Sequence, residues 1–241
     1  MKSLQLLGLI VFLLPNLLSA QATLSADQLI EKSIQYHDPQ GLLAFEEWTM
    51  HYEDSRPDGS TRKSYFKFNP MNYDFEMMRG SEEKKVILKI VDGQFSATLN
   101  GSSDYTEEEA KENRLDESRA TMMRNYYHYL WCMPMKLNDP GTIINDEVKT
   151  VDFFGKESLE IKVTYTPEVG KDIWYFYFHP GTHAMHGYRF YHDESAKDGE
   201  YITLDNELTS NGIRIPQIRK WYTHKEDKFL GEDKLVKLEI H

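Results

Sequence analysis

From Thr142 to His241 the chain is a succession of short alternating stretches divided by turns: "VKTVDFFG", "ESLEIKVTY", "DIWYFYFH", "GYRFYHD", "EYITLDNEL", "IRIPQIRKWYTH" and "KLVKLEIH". Successive side chains of a strand point to opposite faces, so a period of two commits this region to extended structure. Gly, Pro, Asn and Asp stand at the junctions, where turns need them. Consecutive strands joined by short turns run antiparallel, because a parallel crossover needs a dozen or more residues. The expected arrangement is a meander.

The same pattern starts earlier. Trp48, Met50 and Tyr52 share one face, "RPDGS" is a turn, and "TRKSYFKFN" returns with Phe66 and Phe68 on one face. "NYDFEMM" and "KKVILKIV" follow, and Asp92-Gly93 before "QFSATLN" is a strong hairpin signal. Two stretches interrupt the alternation. "SADQLIEKSIQYHD" opens on a capping box, Ser25 with Gln28, sets Leu29, Ile30 and Ile34 on one stripe, and stops near Asp38-Pro39. The segment from Tyr105 opens on a second box, Thr106 with Glu109, carries Met123, Tyr126, Tyr127 and Leu130 at helical spacing, and ends at Pro134. Its acidic start (Glu107, Glu108, Glu109, Glu112) reads as a solvated helix face. Together these predict an α+β fold: a single large curved antiparallel sheet, an open half-barrel of about eleven strands, with helices packed on the concave face. Two packed sheets would leave the long aromatic helix without a place.

The N-terminus, "MKSLQLLGLIVFLLPNLLSAQA", has one lysine, an apolar run from Leu4 to Leu14, Pro15 and a small-residue end. This predicts a signal peptide over residues 1–22, cleaved after Ala22 or, second choice, after Ala20. The run is shorter than the ~20 residues that span a bilayer, and no cysteine follows it for lipid attachment. Residues 23–241 are then expected to form a single domain, periplasmic or secreted, without a stable membrane anchor. A formal charge of −11 argues against nucleic acid as a partner. Cys132 is the only cysteine, so no intramolecular disulfide can form, and a bacterial periplasm is favoured over eukaryotic secretion.

Four histidines, His179, His183, His186 and His192, crowd "WYFYFHPGTHAMHGYRFYHD". Pro180-Gly181 and Gly187 make "HPGTHAMHG" a hairpin loop, in which the imidazoles diverge, so turn residues are expected and no metal is assigned. Cys132, between Trp131 and Met133, reads as a buried, inert thiol. Gly-x-Ser-x-Gly and glycine-rich phosphate loops are both missing from the sequence. No catalytic residue and no cofactor is assigned. Acids such as Asp193, Glu194 and Glu207 leave a hydrolase with paired carboxylates as a lesser alternative.

Twelve Phe, fifteen Tyr, four Trp and ten Met exceed what the alternating core positions require, which points to an apolar binding surface. Its candidates are Trp48, Met50, Phe66, Phe68, Phe75 and Met77 on the early strands, and Trp174, Phe176 and Phe178 on a later one. Tyr127 and Trp131 are candidate cover residues. Ordinary core packing remains open for each. So does a protein–protein interaction module that binds an envelope protein.

"FHPGTHAMHGYRF" and "NGIRIPQIRKWY" stand where the outer-membrane lipoprotein carrier and receptor superfamily has its strand-turn signatures, and the chain resembles that superfamily over nearly its whole length. More closely, "LWCMPMKLNDPGT", "YFHPGTHAMHGYRF" and "GIRIPQIRKWYTHKEDKFLGED" resemble an uncharacterised family of exported bacterial proteins with the same fold. The resemblance implies a fold whose concave face binds apolar groups such as acyl chains, and the expected function is a non-enzymatic binding protein with an apolar cavity for lipid, an acyl chain or a lipoprotein. The lipoprotein carriers hold their lid closed with an arginine, for which Arg62, Arg189, Arg214 and Arg219 are all conceivable here.

Overall fold

Both capping boxes form. Ser25 Oγ accepts from the Gln28 amide at 3.2 Å while Gln28 Oε1 accepts from the Ser25 amide at 3.1 Å, which starts helix α1 (Ala26–His37). In this computed structural model residues 24–81 and 84–241 are described; the expected signal peptide lies outside them. Helix α1 buries Leu29, Ile30, Ser33 and His37 and ends at Asp38. The Asp38 carboxylate accepts from the Leu42 and Leu43 amides, each at 2.9 Å, and so starts the single-turn α2 (Leu42–Phe45).

Strands β1 (Trp48–Ser55), β2 (Thr61–Asn69), β3 (Asp74–Gly80), β4 (Lys85–Val91) and β5 (Gln94–Leu99) follow as hairpins. Asp92 and Gly93 take φ of 49° and 73°, the left-handed pair that a two-residue hairpin turn requires. Thr106 then caps α3 (Glu107–Asn113), whose residues are all at least partly solvent-accessible, as expected of the acidic face. Arg114, at φ 52°, stops that helix, and Asp116 caps a new one, α4 (Glu117–Trp131). The segment read as one helix is thus two.

A 3-10 turn (Met135–Asn138) leads to β6 (Thr142–Ile144), β7 (Lys149–Phe153), β8 (Lys156–Tyr165), β9 (Ile173–Phe178), β10 (Met185–Tyr191), β11 (Glu200–Ser210), β12 (Ile213–Thr223) and β13 (Phe229–Ile240). All strands join one open antiparallel sheet of 13, in the order β5-β4-β3-β2-β1-β13-β12-β11-β10-β9-β8-β6, with β7 also on β8. The count exceeds the expected eleven or so because strands such as β6 are too short to show an alternating period. β1 pairs with β13, which sets the first strand beside the last at the middle of the sheet.

The sheet is covered on both faces at β9, where Trp174, Phe176 and Phe178 alternate with Tyr175 and Tyr177. Phe176 and Phe178 join the main core, while Tyr177 faces the other way and stacks on Phe153 at 3.8 Å. Phe153 fits there because Gly187 has no side chain: a Cβ at Gly187 would lie 2.1 Å from Phe153 Cε1. Outside this cluster the core lies between the concave face and the helices.

Candidate functional site

Every candidate apolar residue lies on or over the concave face. Trp48, Met50, Phe66, Phe68, Phe75, Met77, Phe176 and Phe178 are buried there, and Trp174 packs against them half-buried. Helix α4 supplies the cover. Tyr127 stacks on Phe66 at 3.6 Å, His128 on Phe68 at 4.1 Å, and Trp131 lies 4.2 Å from Tyr52. At the far side Tyr129 approaches Trp174 at 5.8 Å and hydrogen-bonds the Tyr165 hydroxyl. Tyr126, expected on the same stripe, is 41% exposed, because it lies at the edge of the helix arc that Ala120, Met123, Tyr127, Leu130 and Trp131 turn to the sheet.

Side chains of α4 thus pack directly on the concave face. The clefts described lie at the rim. One of about 400 Å³ opens beside Trp174, between Tyr126 and Tyr129 of α4 and the Tyr165–Gly170 segment. Two others, of about 300 Å³ and 290 Å³, share Asp54, Arg56, Arg62 and Arg79 at the rim beside β1, β2 and β3.

That rim carries a feature no local sequence pattern signals. Antiparallel register sets Arg219 opposite Asp233, Asp233 opposite Asp54, and Asp54 opposite Arg62, in one row across β12, β13, β1 and β2. Asp54 Oδ2 accepts from Arg62 Nη2 at 2.7 Å and Nε at 3.0 Å. Asp233 Oδ2 accepts from Trp221 Nε1 at 2.9 Å. Burial, and then the Asp54 carboxylate beside it, push the Asp233 carboxyl up to about 6. Burial also raises the carboxyl of Glu200, which lines the same rim.

Of the four arginines considered for a lid, each has a different place. Arg62 pairs with Asp54. Arg189 lies on the outer face, 5.3 Å over the Tyr177 ring. Arg214 donates to the Tyr36 carbonyl at 2.6 Å and holds α1. Arg219 is fully buried, its guanidinium carbon 3.3 Å over the Trp131 ring, and Nη2 donates to the Leu130 carbonyl of α4 at 3.4 Å. Its Nε and the hydroxyls of Tyr52 and Tyr188, all buried, have no hydrogen-bond partner among the described residues. Desolvation lowers the Arg219 pKa and raises those of both tyrosines.

The histidines diverge as expected of a hairpin, with one correction. His179 Nδ1 accepts from the Gly181 and Thr182 amides at 3.0 and 3.1 Å, and His183 sits in the turn at φ 63°. His192 pairs with Asp172 at 2.8 Å on the surface. His186, however, belongs to β10 and is half-buried, 2.7 Å from Ser158 Oγ. Among the described residues no three His, Cys, Asp or Glu side chains gather to hold a metal. His37 was not singled out, yet it joins α1 to the sheet: Nδ1 donates to the Arg214 carbonyl at 2.7 Å, and Nε2 accepts from the Met185 amide at 2.9 Å. Burial lowers its pKa and keeps it in that neutral form. Cys132 is buried, with its thiol pushed up to about 12 by desolvation.

The model of a family of unknown function, DUF6503, matches residues 7–238. A search of curated proteins finds no match. Among solved structures, the chain is similar to a LolA superfamily protein from Nitrosomonas europaea, with TM-score 0.51 and 8% identity over 90% of this chain and 94% of that one. It is similar to an outer membrane lipoprotein-sorting protein domain from Vibrio parahaemolyticus, with TM-score 0.51 and 12% identity over 88% and 93%. It is also similar to a DUF1329 family protein from Desulfovibrio piger, with TM-score 0.51 and 10% identity over 89% and 92%. At such identities the likeness is one of fold. No helix among the described residues is long and apolar enough to cross a membrane.

Proposed function

The chain belongs to the DUF6503 family, and from that premise we propose that it is a non-catalytic binding protein for a lipid or acyl chain. In this reading α4 is a movable cover, and the aromatic concave face is the surface it uncovers. The lipoprotein-sorting domain among its structural neighbours supports an exported, periplasmic setting. Residues 1–22 would be the cleaved leader and residues 23–241 one binding domain.

The observation that carries the reading is the way α4 is held. It buries Ala120, Met123, Leu130 and Trp131, lays the rings of Tyr127 and His128 on Phe66 and Phe68, and is tied at its flanks by polar contacts: Arg219 to Leu130, Arg79 to Tyr127, Tyr129 to Tyr165. Burying an alkyl chain of about a dozen methylenes on the same aromatic floor returns roughly 10 kcal/mol at ~0.8 each. An acyl chain on that floor therefore offsets much of the contact that α4 gives up on lifting.

The test is mass spectrometry of lipid extracted from protein purified out of its native envelope, with thermal melts in the presence of long-chain fatty-acid esters. Copurifying lipid, or a ligand-dependent rise in Tm, is the expected result. An empty protein that no acyl compound stabilises removes the proposal.

A further inference from the structure

We infer that the rim cleft beside β2 and β3 binds a phosphate-class oxyanion, carried as the head of an amphipathic ligand whose tail lies under α4. The tail half rests on the acyl-binding reading above; the anion half stands without it.

The cleft, of about 300 Å³, is lined by Arg56, Arg62, Arg79 and Lys84, with Asp54 the single carboxylate among its lining residues. Such a gathering is out of character for a chain of formal charge −11. Asp54 is already committed, since its Oδ2 takes both donors of Arg62. Among the described residues Arg56, Arg79 and Lys84 form no ion pair, Glu82 and Glu83 being outside them. Arg79 Nε is buried and has no hydrogen-bond partner there. Arg114 and Arg119 add to the positive field from the helix side: after burial, Arg79 and then Arg114 are what lower the Arg119 pKa.

Like charges crowded at a half-buried site repel unless an anion sits among them. Guanidinium groups match the oxygens of phosphate and carboxylate in bidentate geometry. The surplus of cations favours the more highly charged phosphate.

The geometry also fixes which way a tail would run. Arg79 lines both rim clefts and donates to the Tyr127 hydroxyl, and the Tyr127 ring stacks on Phe66 of the apolar floor at 3.6 Å. An anion on Arg79 therefore sits one residue from the edge of the surface that α4 covers.

The test is calorimetric titration of the whole protein with inorganic phosphate, dodecyl phosphate and dodecyl maltoside, the alkyl probes below their micelle concentrations. It is repeated on Arg56→Gln/Lys84→Gln. Neither side chain makes a hydrogen bond among the described residues, both are exposed, and a melting curve checks that folding is unchanged. We expect dodecyl phosphate to bind at least about tenfold tighter than dodecyl maltoside, and the double variant to erase that advantage, since hydrogen bonds to charged groups are worth about that much. Equal binding of both alkyl probes, unchanged in the variant, overturns the anion site and leaves the acyl-binding reading intact. Inorganic phosphate binding as tightly as dodecyl phosphate, with both lost in the variant, keeps the anion site as one for free phosphate and overturns the tail. No binding of any probe overturns both halves.

Discussion

The guanidinium carbon of Arg219 lies 3.3 Å above the ring of Trp131, with both side chains buried. The stack joins β12 to the last turn of α4, and Nη2 adds a bond to the Leu130 carbonyl at 3.4 Å. A desolvated cation–π contact is worth about 2 kcal/mol or more, and removing one member of a buried charge group costs about 3–5 kcal/mol. Arg219→Leu fills the space but leaves Asp233 without its opposite charge. We expect it to lose about 2–4 kcal/mol in urea unfolding and to raise the fluorescence of N-phenyl-1-naphthylamine as α4 loosens. Arg219→Lys should not restore wild-type behaviour, because an ammonium cannot stack as a planar fork does. A wild-type midpoint and no dye response in Arg219→Leu would show that this arginine does not fasten the helix.

Asp233 gives the fold a pH dependence of defined sign. Its carboxyl is raised from 3.8 to about 6 by burial and by Asp54. Between those values the folded protein holds a proton that the unfolded chain has released. Stability supplied by this group is therefore present at low pH and is lost as pH rises through that window. Asp233→Asn keeps an oxygen that can accept from Trp221 Nε1 and removes the titration. Urea midpoints from pH 4 to 7 should descend less steeply in the variant than in the wild type. Parallel curves would assign the proton to another group.

The strands and both capped helix starts were legible because their signals are local: a period of two, a Ser or Thr three residues before Gln or Glu, an Asp-Gly turn. The apolar floor was legible for the same reason, since Trp48, Met50, Phe66 and Phe68 alternate along their own strands. The row Arg219–Asp233–Asp54–Arg62 was not, because it exists only once β13, the last strand, lies beside β1, the first. No neighbour in sequence announces that pairing. The break between α3 and α4 was hidden for a different reason: Arg114 takes the left-handed conformation that glycine or asparagine would have advertised. His186 misled in the opposite direction. Its flanking glycine suggested loop, whereas Gly187 lies within β10, and its bare backbone makes room for Phe153.

That packing predicts a steric coupling across the sheet. At Gly187 an added Cβ would meet Phe153 Cε1 at 2.1 Å, Phe153 Cζ at 2.6 Å and the Ile202 carbonyl oxygen at 3.1 Å. Gly187→Ala must therefore push Phe153 off its stack on Tyr177, and overpacking of this kind typically costs about 1–3 kcal/mol. Shortening the ring's reach should recover part of it. We expect Gly187→Ala/Phe153→Leu to be more stable in urea than the sum of the two single changes implies. Strict additivity would mean the two positions do not press on one another.

Cys132 offers a readout of the cover itself. It caps the C-terminus of α4, is buried, and has a thiol raised to about 12 by desolvation, so it reacts slowly for want of both access and thiolate. If α4 lifts to admit a ligand, the thiol is uncovered with it. In the native protein, labelling by a disulfide reagent such as 5,5′-dithiobis(2-nitrobenzoate) should be far slower than in urea, and Arg219→Leu should accelerate it. Saturating dodecyl phosphate should change the native labelling rate, because a tail under α4 shifts the balance between covered and lifted helix. A rate that tracks global unfolding alone, unmoved by Arg219→Leu or by any alkyl probe, would show that α4 does not open on its own.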